Sequence, residues 1–191
     1  MNRRELIKNI SLTFGIAASG TAVSALMSGC KVEPKLNFTP EFLSEDEAKM
    51  LTSVVDNILP KTKTPSASEA GVVEFMDGML QNVAGAEEKE QYRAGIKAFT
   101  EAVQAEYGKG YNDLTEGQKT DFLTRIDRAA YTSESADAVS AIWREIKGNT
   151  YFGYYSSEPI AKEVLVYLPV PGPYEGCVDL AEVTGGKSWA L

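Results

Sequence analysis

The chain has 191 residues, enough for one compact domain and a short additional segment. Its net charge of -8, with 43% hydrophobic and 24% charged residues, is typical of a folded protein and argues against nucleic acid as a partner. The sequence has no histidine and only two cysteines, which excludes imidazole catalysis, histidine-ligated metals, cysteine-ligated iron–sulfur clusters and four-cysteine zinc sites.

Common cofactor and nucleophile motifs are also missing from the sequence. We find no GxGxxG, GxxxxGK[ST] or GxSxG pattern, the usual starting points for dinucleotide binding, nucleotide-phosphate binding and serine hydrolysis. We therefore expect no catalytic residue, no cofactor-binding residue and no metal ligand in this chain.

The first 29 residues are typical of an export signal. Arg3 and Arg4 precede a weakly apolar run, residues 10–27, that contains serine, threonine and glycine. A permanent membrane span needs about 20 mostly apolar residues, and this run is too polar. The paired arginines and the weak apolar core predict a twin-arginine signal. An uncleaved membrane anchor is the alternative.

Small residues precede Cys30 at the end of this run. The segment 26–30 resembles the lipobox of bacterial lipoproteins, whose cysteine becomes the acylated first residue of the mature chain. Several acyl chains hold a protein stably on a membrane. We therefore expect a twin-arginine lipoprotein signal peptide at residues 1–29 and a lipid-anchored, proline-containing tether at residues 30–42. The alternative is a chance cysteine after an ordinary secretory signal.

The exported body is distinctly acidic. Without residues 1–29 the chain keeps 16 basic and 26 acidic residues, a net charge of -10. Acylation of Cys30 leaves Cys177 without a thiol partner, so we expect no disulfide bond within the chain. The expected location is the periplasm, with the lipid anchor in either the inner or the outer membrane.

The mature chain has the apolar spacing of amphipathic helices, and no segment shows convincing two-residue alternation. The caps and apolar positions predict five helices. Three have predicted ends: the helix from Ser44 stops at Pro60, the helix from Glu87 ends at Gly108, and the helix with apolar positions from Val139 ends at Gly148. The other two follow caps at Ser66 and Thr115, with apolar positions as far as Leu80 and Ile126. Residues 158–166 fit a short sixth helix. We therefore predict that residues 43–191 form a single compact all-α domain of five to six helices, with an extended irregular tail from about residue 169.

The C-terminal third is rich in aromatic residues. Seven of the 18 aromatic residues lie between Trp143 and Tyr174, and Trp189 stands near the end of the chain. Tyrosine and tryptophan are enriched at protein interfaces. Such a segment packs either on a partner or on the core of its own domain.

Several segments together resemble one known family. They are residues 43–44, 56–60, 64–67, 69–71 and 153–158. Their order and spacing, behind a twin-arginine leader, are similar to the small subunit called gluconate 2-dehydrogenase subunit 3, over roughly residues 43–175. The sequence departs from the family at Pro159, where a glycine often follows the serine–glutamate step.

The resemblance implies a non-catalytic helical subunit that binds an FAD-dependent oxidoreductase of the glucose–methanol–choline (GMC) type, which oxidises a sugar or sugar derivative. FAD would then reside in the large partner subunit, and a cytochrome c is a candidate electron acceptor. Twin-arginine export accepts folded cargo, so one leader could carry both chains. The aromatic density and the family-like segment 153–158 predict a partner interface that comprises Tyr151, Phe152, Tyr154, Tyr155, Ser157, Glu158, Pro171 and Tyr174.

Two other functions stay open at this point. One is a stand-alone envelope lipoprotein that binds a small ligand or an envelope component. The other is an autonomous enzyme that uses carboxylates such as Asp56 or Glu158. An obligate subunit exposes a large apolar surface when it is alone, whereas a stand-alone module does not. The acidic run at residues 45–47 is more typical of a helix N-terminus than of an active site.

Overall fold

The structure, a computed structural model, describes residues 36–132, 137–170, 172–173 and 176–190. The α-helices of these residues are α1 (Glu45–Ile58), α2 (Val72–Asn82), α3 (Ala86–Tyr107), α4 (Glu116–Thr132), α5 (Ala138–Ser156) and α6 (Leu180–Thr184). A 3-10 turn, Tyr111–Asp113, precedes α4, and a π-helical turn, Ile160–Val164, follows α5. The all-α prediction is therefore confirmed for the described part of the chain.

Five residues with predicted roles lie outside the described residues. They are Arg3, Arg4, Cys30, Pro171 and Tyr174. The export signal, the lipidation site and two of the predicted interface residues thus stay predictions from the sequence.

Helix α5 is the centre of the helix bundle. It packs against α2, α3 and α4 and also contacts α1. Its buried side chains include Ile142, Trp143, Ile146 and Thr150, which recur at helical spacing along one broad face. Gly95 lets α3 approach this face closely, because a Cβ atom at that position would lie 2.7 Å from Cβ of Ile142.

The core continues from α5 to the other helices. The ring centroids of Phe99 on α3 and Phe122 on α4 lie 5.3 Å apart in an edge-to-face arrangement. Aromatic pairs favour this geometry because the positive ring edge meets the negative ring face. The large side chains that are almost completely buried include Tyr92, Phe99, Phe122, Leu51, Met76 and Ile146.

Helix starts predicted from side-chain caps are confirmed at α1 and α4. Ser44 and Glu47 form a reciprocal capping box, in which the Glu47 carboxylate accepts the Ser44 amide proton at 2.8 Å. Thr115 and Gln118 do the same at α4, where the side-chain oxygen of Gln118 accepts the Thr115 amide proton at 3.0 Å. Each box satisfies amide groups that the first helical turn leaves without partners.

The second predicted cap forms, but it does not start a helix. Ser66 and Glu69 bond to one another, at 3.0 Å from the Ser66 amide and 3.3 Å from the Glu69 amide. They close a hydrogen-bonded turn, and α2 begins only at Val72, after Gly71 with φ of 81°. The predicted start at Ser66 is therefore wrong by about six residues, since the positive φ interrupts the helix.

Helix α5 runs past its predicted end at Gly148 and continues to Ser156. Thr150, Gly153 and Tyr154 are buried, so tertiary packing holds the additional turns in place. A single glycine in a helix costs only about 1 kcal/mol relative to alanine, which this burial offsets.

The two ends of the described domain are more ordered than predicted. Leu36 and Phe38, within the predicted tether, are partly buried against the core. In the predicted irregular tail, Asp179 caps α6 by accepting two backbone amide protons, and Val166 forms an isolated parallel bridge with Trp189. These contacts add local order within the segments that the sequence predicts as a tether and an irregular tail.

Candidate partner interface

The last turn of α5 presents three aromatic side chains to solvent. Tyr151, Phe152 and Tyr155 are 39%, 55% and 40% exposed. Positions 150, 153 and 154 of the same turn are buried, so the opposite side of the helix faces solvent. We call Tyr151, Phe152 and Tyr155 the aromatic face.

Tyr154 does not belong to this exposed surface. Its side chain is 5% exposed, and its hydroxyl donates a hydrogen bond to the Pro65 carbonyl at 2.9 Å. Its ring lies edge-to-face with that of Tyr155, at 5.4 Å between centroids. Tyr154 therefore lies in the core, where its hydroxyl bonds to the 60–66 loop and its ring packs against the ring of Tyr155.

Helix α2 supports the aromatic face from the other side. The rings of Phe75 and Phe152 lie 5.8 Å apart. Gly153 permits this contact, because a Cβ atom there would lie only 2.8 Å from Cδ1 of Phe75. Gly153 thus allows α2 and α5 to pack closely next to the exposed rings.

Ser157 and Glu158 have different positions. The Ser157 hydroxyl donates to the Tyr154 carbonyl at 2.7 Å and so helps to end α5. Glu158 is exposed and forms an ion pair with Lys162, four residues further on. The hydrogen bond from Lys162 lowers the pKa of the Glu158 carboxyl. Ser157 thus shapes the end of the helix, while Glu158 adds a charge beside the aromatic face.

The chain after the π-helical turn folds into an arm that exposes apolar side chains. We call residues 166–190 the C-terminal arm. The Val166 amide donates to the Ser188 carbonyl and the Ala190 amide donates to the Val166 carbonyl, both at 2.9 Å, which closes the arm on itself. Among the described residues of the arm, the exposed large apolar side chains are Tyr167, Leu168, Val170, Val178, Leu180, Val183 and Trp189.

Exposed apolar surface is concentrated in these two regions. Thirteen large hydrophobic residues are exposed in the described part of the chain, and ten of them belong to the aromatic face or the C-terminal arm. The buried Ile160 lies between the two regions in sequence and holds the connecting turn on the core. The aromatic residues are visible in the sequence as a dense cluster, whereas the aliphatic residues of the arm lie in a segment interrupted by prolines and show no such pattern.

A cleft of about 240 Å³ lies beside Tyr151. At its wall, Asp127 accepts hydrogen bonds from the Trp143 indole at 2.8 Å and from Lys147 at 2.5 Å. Burial alone would raise the pKa of Asp127, but these two partners lower it overall. The cleft is smaller than typical ligand pockets, and its carboxylate is already bonded to two side chains of this chain.

Two larger clefts lie elsewhere. One of about 430 Å³ lies among α3, α4 and the start of α5. Another of about 350 Å³ lies between residues 36–38 and the start of α2. The described residues contain no cluster of three carboxylate or cysteine side chains that could hold a metal ion. None of the helices in the described ranges is both long and apolar enough to cross a membrane.

A sequence model of the family Gluconate 2-dehydrogenase subunit 3 matches residues 45–172, two thirds of the chain. The chain belongs to the gluconate 2-dehydrogenase subunit 3 family. The match begins at the first residue of α1 and includes the whole helix bundle, the aromatic face and the first residues of the C-terminal arm. The resemblance inferred from the sequence is therefore confirmed. No curated protein and no solved structure matches this chain.

Proposed function

We propose that this member of the gluconate 2-dehydrogenase subunit 3 family is the non-catalytic small subunit of a periplasmic FAD-dependent dehydrogenase of the GMC type. It binds the flavoprotein, escorts it through twin-arginine export and tethers it to the membrane through acylated Cys30. The substrate of the complex is a sugar or sugar derivative, and a cytochrome c is its candidate electron acceptor. The observation that carries the proposal is the concentration of exposed apolar side chains in the aromatic face and the C-terminal arm.

A large exposed apolar surface on a soluble domain is typical of a site for another protein. The aromatic face adds rigid rings, which are the side chains that contribute most to binding energy at interfaces. The acidic body disfavours anionic lipid headgroups as the binding surface, because like charges repel. These features support a protein partner over a membrane surface for these side chains.

Two carboxylates that an autonomous enzyme could use are bonded to other side chains or amides of this chain, which supports the non-catalytic assignment. Asp56 accepts hydrogen bonds from the Ser68 amide at 2.8 Å and from the Ser68 hydroxyl at 2.7 Å. Glu158 is paired with Lys162 at the surface. These bonds support an arrangement in which the partner subunit carries FAD and performs the redox step.

The proposal is tested by purifying the full chain, tagged at its C-terminus, from its own host. We expect a flavoprotein to co-purify in equal amount, with the visible absorption of oxidised flavin and with sugar-dependent reduction of an artificial electron acceptor. A matched pair of variants tests the surface. Val170→Asp, in the C-terminal arm, should reduce recovery of the flavoprotein, whereas Val83→Asp, at a similarly exposed valine after α2, should not.

A chain that purifies without flavin and behaves as a monodisperse monomer would contradict the proposal. That result would favour the stand-alone envelope lipoprotein. Equal losses of flavoprotein with both valine variants would show that the C-terminal arm is not the binding surface.

A further inference from the structure

The segment ahead of α1 is fastened to the domain by its backbone. The amides of Glu41, Phe42 and Leu43 donate hydrogen bonds to the Asp77 carboxylate at 2.7, 3.1 and 2.8 Å. Leu36 also packs partly buried against the core. We call residues 36–43 the strap.

Asp77 is well suited to hold the strap. It lies on α2 and is 3% exposed, so its carboxylate is shielded from water. A buried carboxylate is costly unless hydrogen bonds satisfy it, and charge-assisted bonds are stronger than neutral ones. Three adjacent amides of the strap satisfy Asp77, which couples its burial to the position of residues 41–43.

Arg93 on α3 holds the strap at a second point. Its guanidinium donates a hydrogen bond to the Phe42 carbonyl at 3.1 Å and lies 4.2 Å from the centre of the Phe42 ring. The Phe42 side chain is itself buried and meets Tyr92 edge-to-face. Asp77 and Arg93 therefore bind the amide and carbonyl sides of the same short segment, and we call them the clamp.

We propose that the clamp limits the distance between the helical domain and its membrane anchor. This inference rests on the proposed acylation of Cys30. With the strap clamped, only residues 30–35 link the anchor to the domain, with a maximum reach of about 20 Å. If residues 30–43 were all free, the reach would be about 50 Å. The clamp thus keeps the domain, and a partner bound to it, close to the membrane.

Chymotrypsin cleavage of the full chain in isolated membranes tests the clamp. Residues 30–35 contain no aromatic residue or leucine, whereas the strap offers Leu36, Phe38, Phe42 and Leu43. Cleavage in the strap releases the helical domain from the membrane. We expect Asp77→Ala and Arg93→Ala to be released at least tenfold faster than the native chain. Glu101→Ala, at an exposed position two turns further along α3 than Arg93, should match the native rate.

The Asp77→Asn variant gives a graded measurement. Its amide keeps one acceptor oxygen but loses the other, so release should be faster than for the native chain and slower than for Asp77→Ala. If Asp77→Ala does not fold, Asp77→Asn and Arg93→Ala carry the test, with circular dichroism as the check on folding. Mass spectrometry of the fragments identifies the cut sites.

Equal strap cleavage in the native chain and all clamp variants would overturn the clamp. The intact mass of the membrane-extracted chain separates this failure from a failure of the proposed anchor. An unmodified Cys30 would contradict both the proposed lipid anchor and the proposed role of the clamp. Equal cleavage of an acylated chain would contradict the clamp alone.

Discussion

Gly95 and Gly148 both lie inside helices, but only Gly95 faces a neighbouring helix. A Cβ atom at Gly95 would lie 2.7 Å from Cβ of Ile142, whereas one at Gly148 would meet no atom within 4 Å. We expect Gly95→Ala to lower the free energy of unfolding by about 1–3 kcal/mol, since it overpacks the contact between α3 and α5. We expect Gly148→Ala to raise it by about 0.5–1 kcal/mol, because alanine favours the helix. Urea denaturation measures both.

The opposite signs of these two substitutions are the decisive observation. If Gly95→Ala stabilised the protein as much as Gly148→Ala, then α3 and α5 would not approach each other as closely as the structure shows.

Tyr154 and Tyr155 are adjacent in sequence but differ in burial, so their substitution should have different effects. Tyr154→Phe removes the hydrogen bond to the Pro65 carbonyl and leaves a partly buried acceptor, which should cost about 1 kcal/mol of unfolding free energy. Tyr155→Ala, at a position that is 40% exposed, should cost less stability than Tyr154→Ala but should weaken partner binding. Thermal denaturation and a partner pull-down separate the two roles. Similar stability losses for both alanine variants would contradict this assignment.

At the scale of helices, the Asp127–Lys147 pair joins α4 to α5. Burial alone would raise the pKa of Asp127, but its hydrogen bonds with Lys147 and Trp143 lower it overall. The folded state therefore binds the Asp127 proton less tightly than the unfolded state, so the pair stabilises the fold above the ordinary carboxyl pKa and loses this effect as the pH falls through the lowered value.

We expect Asp127→Asn to reduce the part of the acid-induced stability loss that arises between about pH 5 and pH 2. Trp143, whose indole donates to Asp127, reports the change through its fluorescence. Asp121→Asn, at an exposed carboxylate of the same helix α4, is the control. The same pH dependence of unfolding in native and Asp127→Asn proteins would show that the pair has no influence on acid stability.

The sequence predicted helices best where local chemistry decides their ends. The caps at Ser44 and Thr115 contain both reciprocal partners and start helices. The cap at Ser66 has the same kind of reciprocal bonds, with Glu69, yet α2 begins only after the left-handed backbone at Gly71. The extension of α5 beyond Gly148 depends on burial of Thr150 and Tyr154, which requires contacts with distant segments. Local pattern therefore predicts the type of element, while tertiary contacts set several of its limits.

The candidate site was predictable to a similar extent. Aromatic density identified Tyr151, Phe152 and Tyr155, because a run of aromatic residues is visible in the sequence. The burial of Tyr154 was not visible, since it depends on the Pro65 carbonyl, 89 residues away in sequence. The clamp of Asp77 on residues 41–43 was also missed, because an aspartate in an amphipathic helix usually faces solvent.

For the whole molecule, we propose that a flavoprotein partner depends on this chain for export and for its place at the membrane. The twin arginines at positions 3 and 4 precede a weakly apolar core. Most of the exposed large hydrophobic residues in the described part of this acidic chain lie in the aromatic face or the C-terminal arm. Together these features favour a carrier whose own signal serves two proteins.

The most direct measurement is the cellular location of the flavoprotein when Arg3 and Arg4 are both changed to lysine. The change keeps the charge but removes the arginine pair, so both proteins should stay in the cytoplasm. The flavoprotein should still bind FAD and oxidise its sugar in cell lysate, because it folds before transport, while sugar-dependent dye reduction by intact cells should disappear. A flavoprotein that still reaches the periplasm at the native level would contradict the account, since it would then travel without this chain.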